Sequence, residues 1–358
     1  MALDVVARVL SWAEQPGLHA ELRLRHEAVL GERLDRLLAT GPAASCAEAI
    51  RGLGADARRR LLTAPETAHR ITYRPALAPP FLPGVARAEA VRAGVGGPPP
   101  EAVWTALGDA YFPAGASAGP ADDLAWSPDR AFAAPRVADV IPVDHWSPWG
   151  ARPGKPVPRL SPGALRGVVA KLDDTLRGVA EVSAAAHALV TNYVRVFVLW
   201  SDGRDSLMEF STERYVGRVV LSNVEAAGVD AVALASAAVH EATHSFVYTL
   251  EEWDPIVLDR ELSARVQVAS PWTGRMLGIH SFVQAACVWL GLWQFFARAL
   301  EAGVFERGRV EEEMEKSRAG FFRPGLDEAM RASLPHVSPS ARAVLEPLVE
   351  AVRKGAYG

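Results

Sequence analysis

Apolar residues recur at steps of three and four from Leu3 to about Arg70 (Val5, Val6, Val9, Leu10; Leu30, Leu34, Leu37, Leu38), the spacing that lines one face of an amphipathic helix. Between Arg74 and Pro100 the periodicity gives way to Pro, Gly and Ala, ending in Gly96-Gly97-Pro98-Pro99-Pro100, and this stretch reads as a long connector or a substrate-facing loop. Pro113 to Pro158 is a second irregular tract, and its aromatics Trp126, Trp146 and Trp149 either line a pocket or plug the core. Ser161-Pro162 then marks a helix start, Ser as cap and Pro at the first position, with the helix expected to run to about Val190. From Val194 to Trp200 the chain turns β-branched and aromatic, and strands are expected there, near Leu207–Ser211 and over Gly217–Ser222, with Asp202-Gly203 as a hairpin turn. Asp230 opens a helix from about Ala231 to Glu251 whose Ala- and Val-rich first half is apolar on nearly every face. An irregular stretch from Trp253 to Arg275 leads to a long helix ending near Leu300, and Ser338-Pro339 starts another.

These elements predict an α+β fold, mostly helical, with a small antiparallel sheet next to the Ala231–Glu251 helix. They also predict two parts: residues 1–100, helical with a Pro/Gly-rich connector, and residues 101–358, which carry the candidate chemistry. Of 358 residues 49% are apolar and 22% charged, which is globular composition. The net charge of −4 offers no extended phosphate-binding face, so nucleic acid is not an expected partner. Asp4, Arg8, Glu14 and His19 interrupt any signal-like apolar run, and Gln284, Gln294 and Arg298 interrupt the most apolar stretch, Phe282–Leu300. The expectation is therefore a cytoplasmic protein without a membrane partner. Cys46 and Cys287 stand far apart, so a metal would be held by His or carboxylate.

One segment carries chemistry. In His240-Glu241-Ala242-Thr243-His244 two imidazoles stand four residues apart on a helix, where both can reach one divalent ion while Glu241 sits beside it. Two imidazoles do not fix a metal's geometry, so a third donor is required. His280, at the start of the next long helix, is the leading candidate, because an antiparallel return would bring it opposite the pair; Asp254, Asp259 and Glu261 compete with it. His19, His26, His69, His145, His187 and His336 show no ligand spacing. Arg275, five residues before His280, is placed to hold a carboxylate in two hydrogen bonds, or else is an ordinary solvated arginine.

From Phe210 to Phe282 the chain resembles the HExxH-motif proteins found beside ribosomally made peptide natural products, some of which are iron(II)- and 2-oxoglutarate-dependent peptide hydroxylases. The resemblance rests on Phe210-Ser211-Thr212, Val219-Val220-Leu221-Ser222-Asn223, Leu234-Ala235 leading into the histidine segment, and Ser270-Pro271-Trp272 followed by an Arg and a His. It implies that His240, His244 and His280 hold iron(II), that Arg275 anchors the distal carboxylate of 2-oxoglutarate, that Glu241 is an accessory group near the iron, and that a carbon of a precursor-peptide side chain is hydroxylated. Three protein donors on one face of an octahedral ion leave room for a 2-oxo acid and dioxygen.

Two alternatives stand beside this one. In a zinc metallopeptidase the same histidines hold zinc and Glu241 is the general base, although no His-x-x-Gly-x-x-His extension follows His244. In a noncatalytic peptide-binding protein a structural metal would only join helices, and such a site would have four protein donors.

Overall fold

The three-four apolar spacing of the N-terminal stretch folds as α1 (Ala2–Leu10), α2 (Leu18–Leu38), α3 (Ala47–Arg51), α4 (Ala55–Thr63) and α5 (Pro65–Tyr73). The expected connector after Arg74 is instead largely helical. A short 3₁₀ turn (Pro75–Leu77) runs into α6 (Ala78–Arg92), and only the tail from Ala93 to Pro100 is irregular. Pro79 and Pro80 fall in the first turn of α6, where amide protons have no partner inside the helix, and Pro83 removes one of the first bonds a helix makes. Alanines carry the helix onward from there. These features come from a computed structural model that describes residues 2–39, 46–116, 121–122, 124–150 and 158–353.

Short strands follow, the first two ahead of Pro113 and the next four inside the tract from Pro113 to Pro158, of which 117–120, 123 and 151–157 are not among the described residues. In chain order the strands are β1 (Val103–Trp104), β2 (Ala110–Phe112), β3 (Ala121–Asp122), β4 (Phe132–Ala133), β5 (Arg136–Val137) and β6 (Ile141–Asp144). Next come α7 (Pro162–Val182) and α8 (Ala184–Tyr193). The helix expected to run unbroken to Val190 stops at Ser183, whose hydroxyl accepts from the Ala186 amide at 3.1 Å and caps α8. Then follow β7 (Val196–Trp200), β8 (Met208–Phe210), β9 (Arg218–Ser222), α9 (Ala231–Glu251), α10 (Arg260–Arg265), β10 (Gln267–Ala269), β11 (Met276–Gly278), α11 (Ile279–Ala302), α12 (Arg307–Ala319), α13 (Gly325–Ser333) and α14 (Pro339–Arg353). Both Ser-Pro starts hold: Ser161 accepts from the Ala164 amide and Ser338 from the Ala341 amide, each at 3.2 Å.

The fold is mostly helical α+β, and the pairing of its main sheet adds detail. Strand order is β5-β6-β7-β9-β8; both edge strands pair antiparallel with their neighbours, whereas β6, β7 and β9 run parallel. Buried on both faces, β7 reads as the unbroken run Val-Phe-Val-Leu-Trp, the pattern of a central parallel strand. Asp202-Gly203 is a turn, with Gly203 at φ +77°, but the strands on either side of it do not pair, because β9 lies between β7 and β8.

Contacts divide the chain into two interleaved units rather than at a single cut near residue 100. One comprises Met1–His19, Thr175–Val190 and Ala231–Gly358; the other comprises Ala20–Asp174 and Thr191–Asp230. The first is helical around α11, whose Phe282, Val283, Phe295 and Phe296 are fully buried, with Phe246 of α9 and Leu10 of α1 also in the core. By length and composition α11 could cross a membrane, and 78% of that stretch is buried inside the protein. The second unit holds the main sheet and a core of Leu30, Leu34, Ile50, Leu61, Leu82, Val196 and Val198. Buried Asp109 accepts hydrogen bonds there from Thr105, Arg92 and Arg136 at 2.8, 2.9 and 3.0 Å.

Candidate metal centre

Helix α9 has the bounds its sequence pattern predicts and carries His240, His244, Tyr248 and Glu251 along one stripe. Opposite it runs α11, antiparallel, so that Trp289 meets His240, Gln284 meets His244 and His280 meets Glu251. The entry to α11 is tight: a Cβ on its cap residue Gly278 would stand 3.1 Å from the Ser263 carbonyl oxygen, and this turn places His280 in the first turn of the helix.

The rings of His240 and His244 lie 5.0 Å apart. Burial pushes the His240 pKa well below its usual range, with His244 and Lys316 adding to the effect, and burial lowers that of His244. Both imidazoles are therefore held neutral, the form that donates to a metal. Glu241 is buried at 3% exposure, its carboxylate 3.9 Å from His240 Nε2. Trp289 stands edge-on to His240 and stacks on Trp272, whose indole N–H donates to the Ser317 carbonyl at 2.8 Å. A Cβ on Gly320 would fall 2.4 Å from the Trp272 ring, so that residue's lack of a side chain admits the indole.

A polar relay fixes His244. Gln284 is 1% exposed; its amide donates to Glu251 Oε2 at 2.9 Å, and its Oε1 lies 2.6 Å from His244 Nδ1. A carboxylate only accepts, so the NH₂ of Gln284 must face Glu251 and its oxygen must face His244. His244 consequently carries its proton on Nδ1 and keeps the Nε2 lone pair. Glu251 also accepts from His280 Nε2 at 2.8 Å and from Arg260 at 3.1 Å. Tyr248 lies nearly parallel to both His244 and His280, at 5.8 and 6.3 Å between ring centroids.

The structure thus brings His240 and His244 together and joins His280 to His244 through Gln284, Glu251 and the Tyr248 ring. Among the described residues no group of three or more His, Cys, Asp or Glu side chains is gathered as a metal site. His280 is turned onto Glu251, a residue sequence reasoning passed over although its seven-residue spacing from His244 puts it on the same helix face. Asp254 accepts from Ser340 at 2.7 Å, and Asp259 caps α10 through the Leu262 amide at 2.9 Å, so both competing aspartates have structural work; Glu261 is exposed. Arg275 sits exposed at the turn of the β10–β11 hairpin, its carbonyl accepting from the Ser270 amide at 2.8 Å. Cys287, one turn beyond Gln284, has its thiol pKa pushed up to about 12 by burial and then by the charge of Glu251, so it is no thiolate donor. The two-histidine half of a metal centre fits these residues; its third donor is not in place. No known protein family matches this sequence, and neither does any curated protein.

Proposed function

We propose that the protein is an iron(II)- and 2-oxoglutarate-dependent oxygenase that hydroxylates a side-chain carbon of a ribosomally made precursor peptide. The observation that supports a metal centre is the His244 tautomer: the Glu251–Gln284 relay leaves Nε2 as the donor atom beside a second neutral imidazole, a support that metal-binding histidines commonly receive. In this reading His240 and His244 are the first two donors, and His280, whose Nε2 is held by Glu251, would have to turn its ring toward them to supply the third. Bound iron, 2-oxoglutarate and dioxygen would supply the oxidising power. The protein's own part is to keep both α9 imidazoles neutral and to wall the pair with Trp289 and Tyr248. Arg275 is the anchor assigned to the distal carboxylate of the cosubstrate, and its exposed position leaves its guanidinium accessible to a ligand. The choice of iron chemistry rests on the sequence resemblance around the histidine segment.

Burial of Glu241 beside His240 favours a second reading, a zinc peptidase with Glu241 as base. Both are tested by loading the protein anaerobically with iron(II), admitting air and measuring succinate from 2-oxoglutarate, with H240A and E241Q alongside. Succinate that requires iron and His240 and persists in E241Q supports the oxygenase. Zinc-dependent cleavage of a generic peptide, lost in E241Q and without succinate in any sample, overturns it in favour of the peptidase.

A further inference from the structure

A cavity of ≈ 690 Å³ opens in the unit that holds the main sheet, and none of the residues of the histidine site lines it. Its walls include Trp149, Trp200, Phe210 and Tyr215. Its charge comes from Glu66, which is 5% exposed and whose carboxylate pairs with Arg70 through one oxygen and Arg218 through the other. Both guanidiniums are largely buried as well, with side chains 18% and 15% exposed. Two cations therefore share one anion out of water. Arg214 and Glu213, also in the lining, add one formal charge of each sign, so the lining keeps one more positive than negative charge.

Burying an under-compensated charge is costly, and the cost shows in Arg218, where desolvation brings the pKa down to about 10. Aromatic faces supply part of the compensation: Arg218 lies 4.2 Å from the Tyr215 ring centroid, and Arg70 lies 4.0 Å from that of Phe81. A guanidinium carries five N–H donors, and Glu66 takes only a share of the ten, leaving capacity for a second planar anion. The volume falls within the range of about 300–1,000 Å³ typical of small-molecule sites.

We propose that this cavity binds an organic acid in which a carboxylate is joined to a flat apolar body, the carboxylate on Arg70 and Arg218 and the body against Trp149, Trp200 and Phe210. The inference is independent of any metal chemistry at His240 and His244. Such an acid could be a free small molecule or an acidic residue next to an aromatic one in a peptide, and the test separates these sources.

Isothermal titration calorimetry of the full chain against 3-indolepropionate, its uncharged primary amide and the capped dipeptide N-acetyl-Trp-Glu-amide reads the site directly. The acid is expected to bind saturably at one site, with the amide at least tenfold weaker and R218M at least tenfold weaker for the acid. Phe210 is 37% exposed at the cavity, so F210A should fold normally and still bind several-fold more weakly, which keeps the test decisive if R218M does not fold. Tighter binding of the dipeptide than of the free acid identifies a peptide as the source; the reverse identifies a small molecule. Equal binding of acid and amide, no saturable heat with either acid, or wild-type affinity in F210A overturns the proposal.

Discussion

Replacing Gln284 by Leu tests whether the relay holds His244 or merely fills space. The substitution nearly preserves volume at a position 1% exposed, and it removes both the acceptor for His244 Nδ1–H and a donor to Glu251 Oε2. A buried polar group left without its partner costs about 1–3 kcal/mol, and two groups are stranded, so the expected loss lies between about 2 and 6 kcal/mol. Glu251 keeps His280 and Arg260, and the leucine buries more apolar surface, so a net loss of about 3 kcal/mol is the working figure. At about 2–4 °C per kcal/mol for a domain of this order of size, the melting temperature should fall by roughly 6–12 °C in calorimetry. Freeing His244 to change tautomer should also weaken cobalt(II) binding, followed by its visible absorbance, about 10- to 100-fold. A variant that melts with the wild type and binds cobalt as tightly would refute the reasoning, since neither stranded group would then have depended on Gln284.

Three further outcomes follow from the other unit. His145 is 2% exposed, with Nε2 accepting from the Leu160 amide at 2.7 Å, and burial lowers its pKa to about 4. The unfolded chain takes up this proton near pH 6.5 and the folded one only near 4, so stability is complete above 6.5, falls between 6.5 and 4 by about 3 kcal/mol, and then levels. Urea titrations of H145Q should lack that part of the slope, and an identical slope would show that the histidine does not titrate as described. Gly217 has φ +85°, and a Cβ there would stand 2.4 Å from the Arg195 Cγ, so Gly217→Ala should cost about 2–4 kcal/mol in chemical denaturation; a loss below about 1 kcal/mol contradicts the geometry. Asp109→Asn removes the carboxylate that pairs with both Arg92 and Arg136 in this cluster. A buried pair broken on one side loses about 3–5 kcal/mol, reduced to about 2–3 because Arg136 is partly hydrated, and a melting temperature unchanged from wild type would dismiss the hub.

What the sequence discloses here follows the range of the forces involved. Helix α9 was legible to the residue because its start, its apolar run and its histidine spacing are local, and the Ser-Pro caps at Ser161 and Ser338 were legible for the same reason. Composition located β7, β8 and β9 but not the short strands β3 to β6 and β10, which lie in tracts read as irregular, and that β9 inserts between β7 and β8 is decided by long-range pairing that no local signal carries. The Pro-rich stretch misled because proline's effect depends on its position in a helix, and α6 gathers its prolines at the start. In the site, the His240–His244 pair was readable from spacing alone. Glu251 looked like an ordinary carboxylate at a helix end, and Gln284 like an interruption of an apolar run, until the register of α9 on α11 paired them.

That register has a consequence of its own. Helix α11 is largely apolar, so hydrophobic burial alone distinguishes poorly between alignments one turn apart on α9. The hydrogen bonds forbid the slide: a shift of four residues would set Val288 against His244 and leave the imidazole with no acceptor, while Glu251 would lose its place against His280. Four polar side chains, His244, Gln284, Glu251 and His280, thus act as the teeth of a key between the two helices, selecting one alignment among several that hydrophobic contact alone would accept.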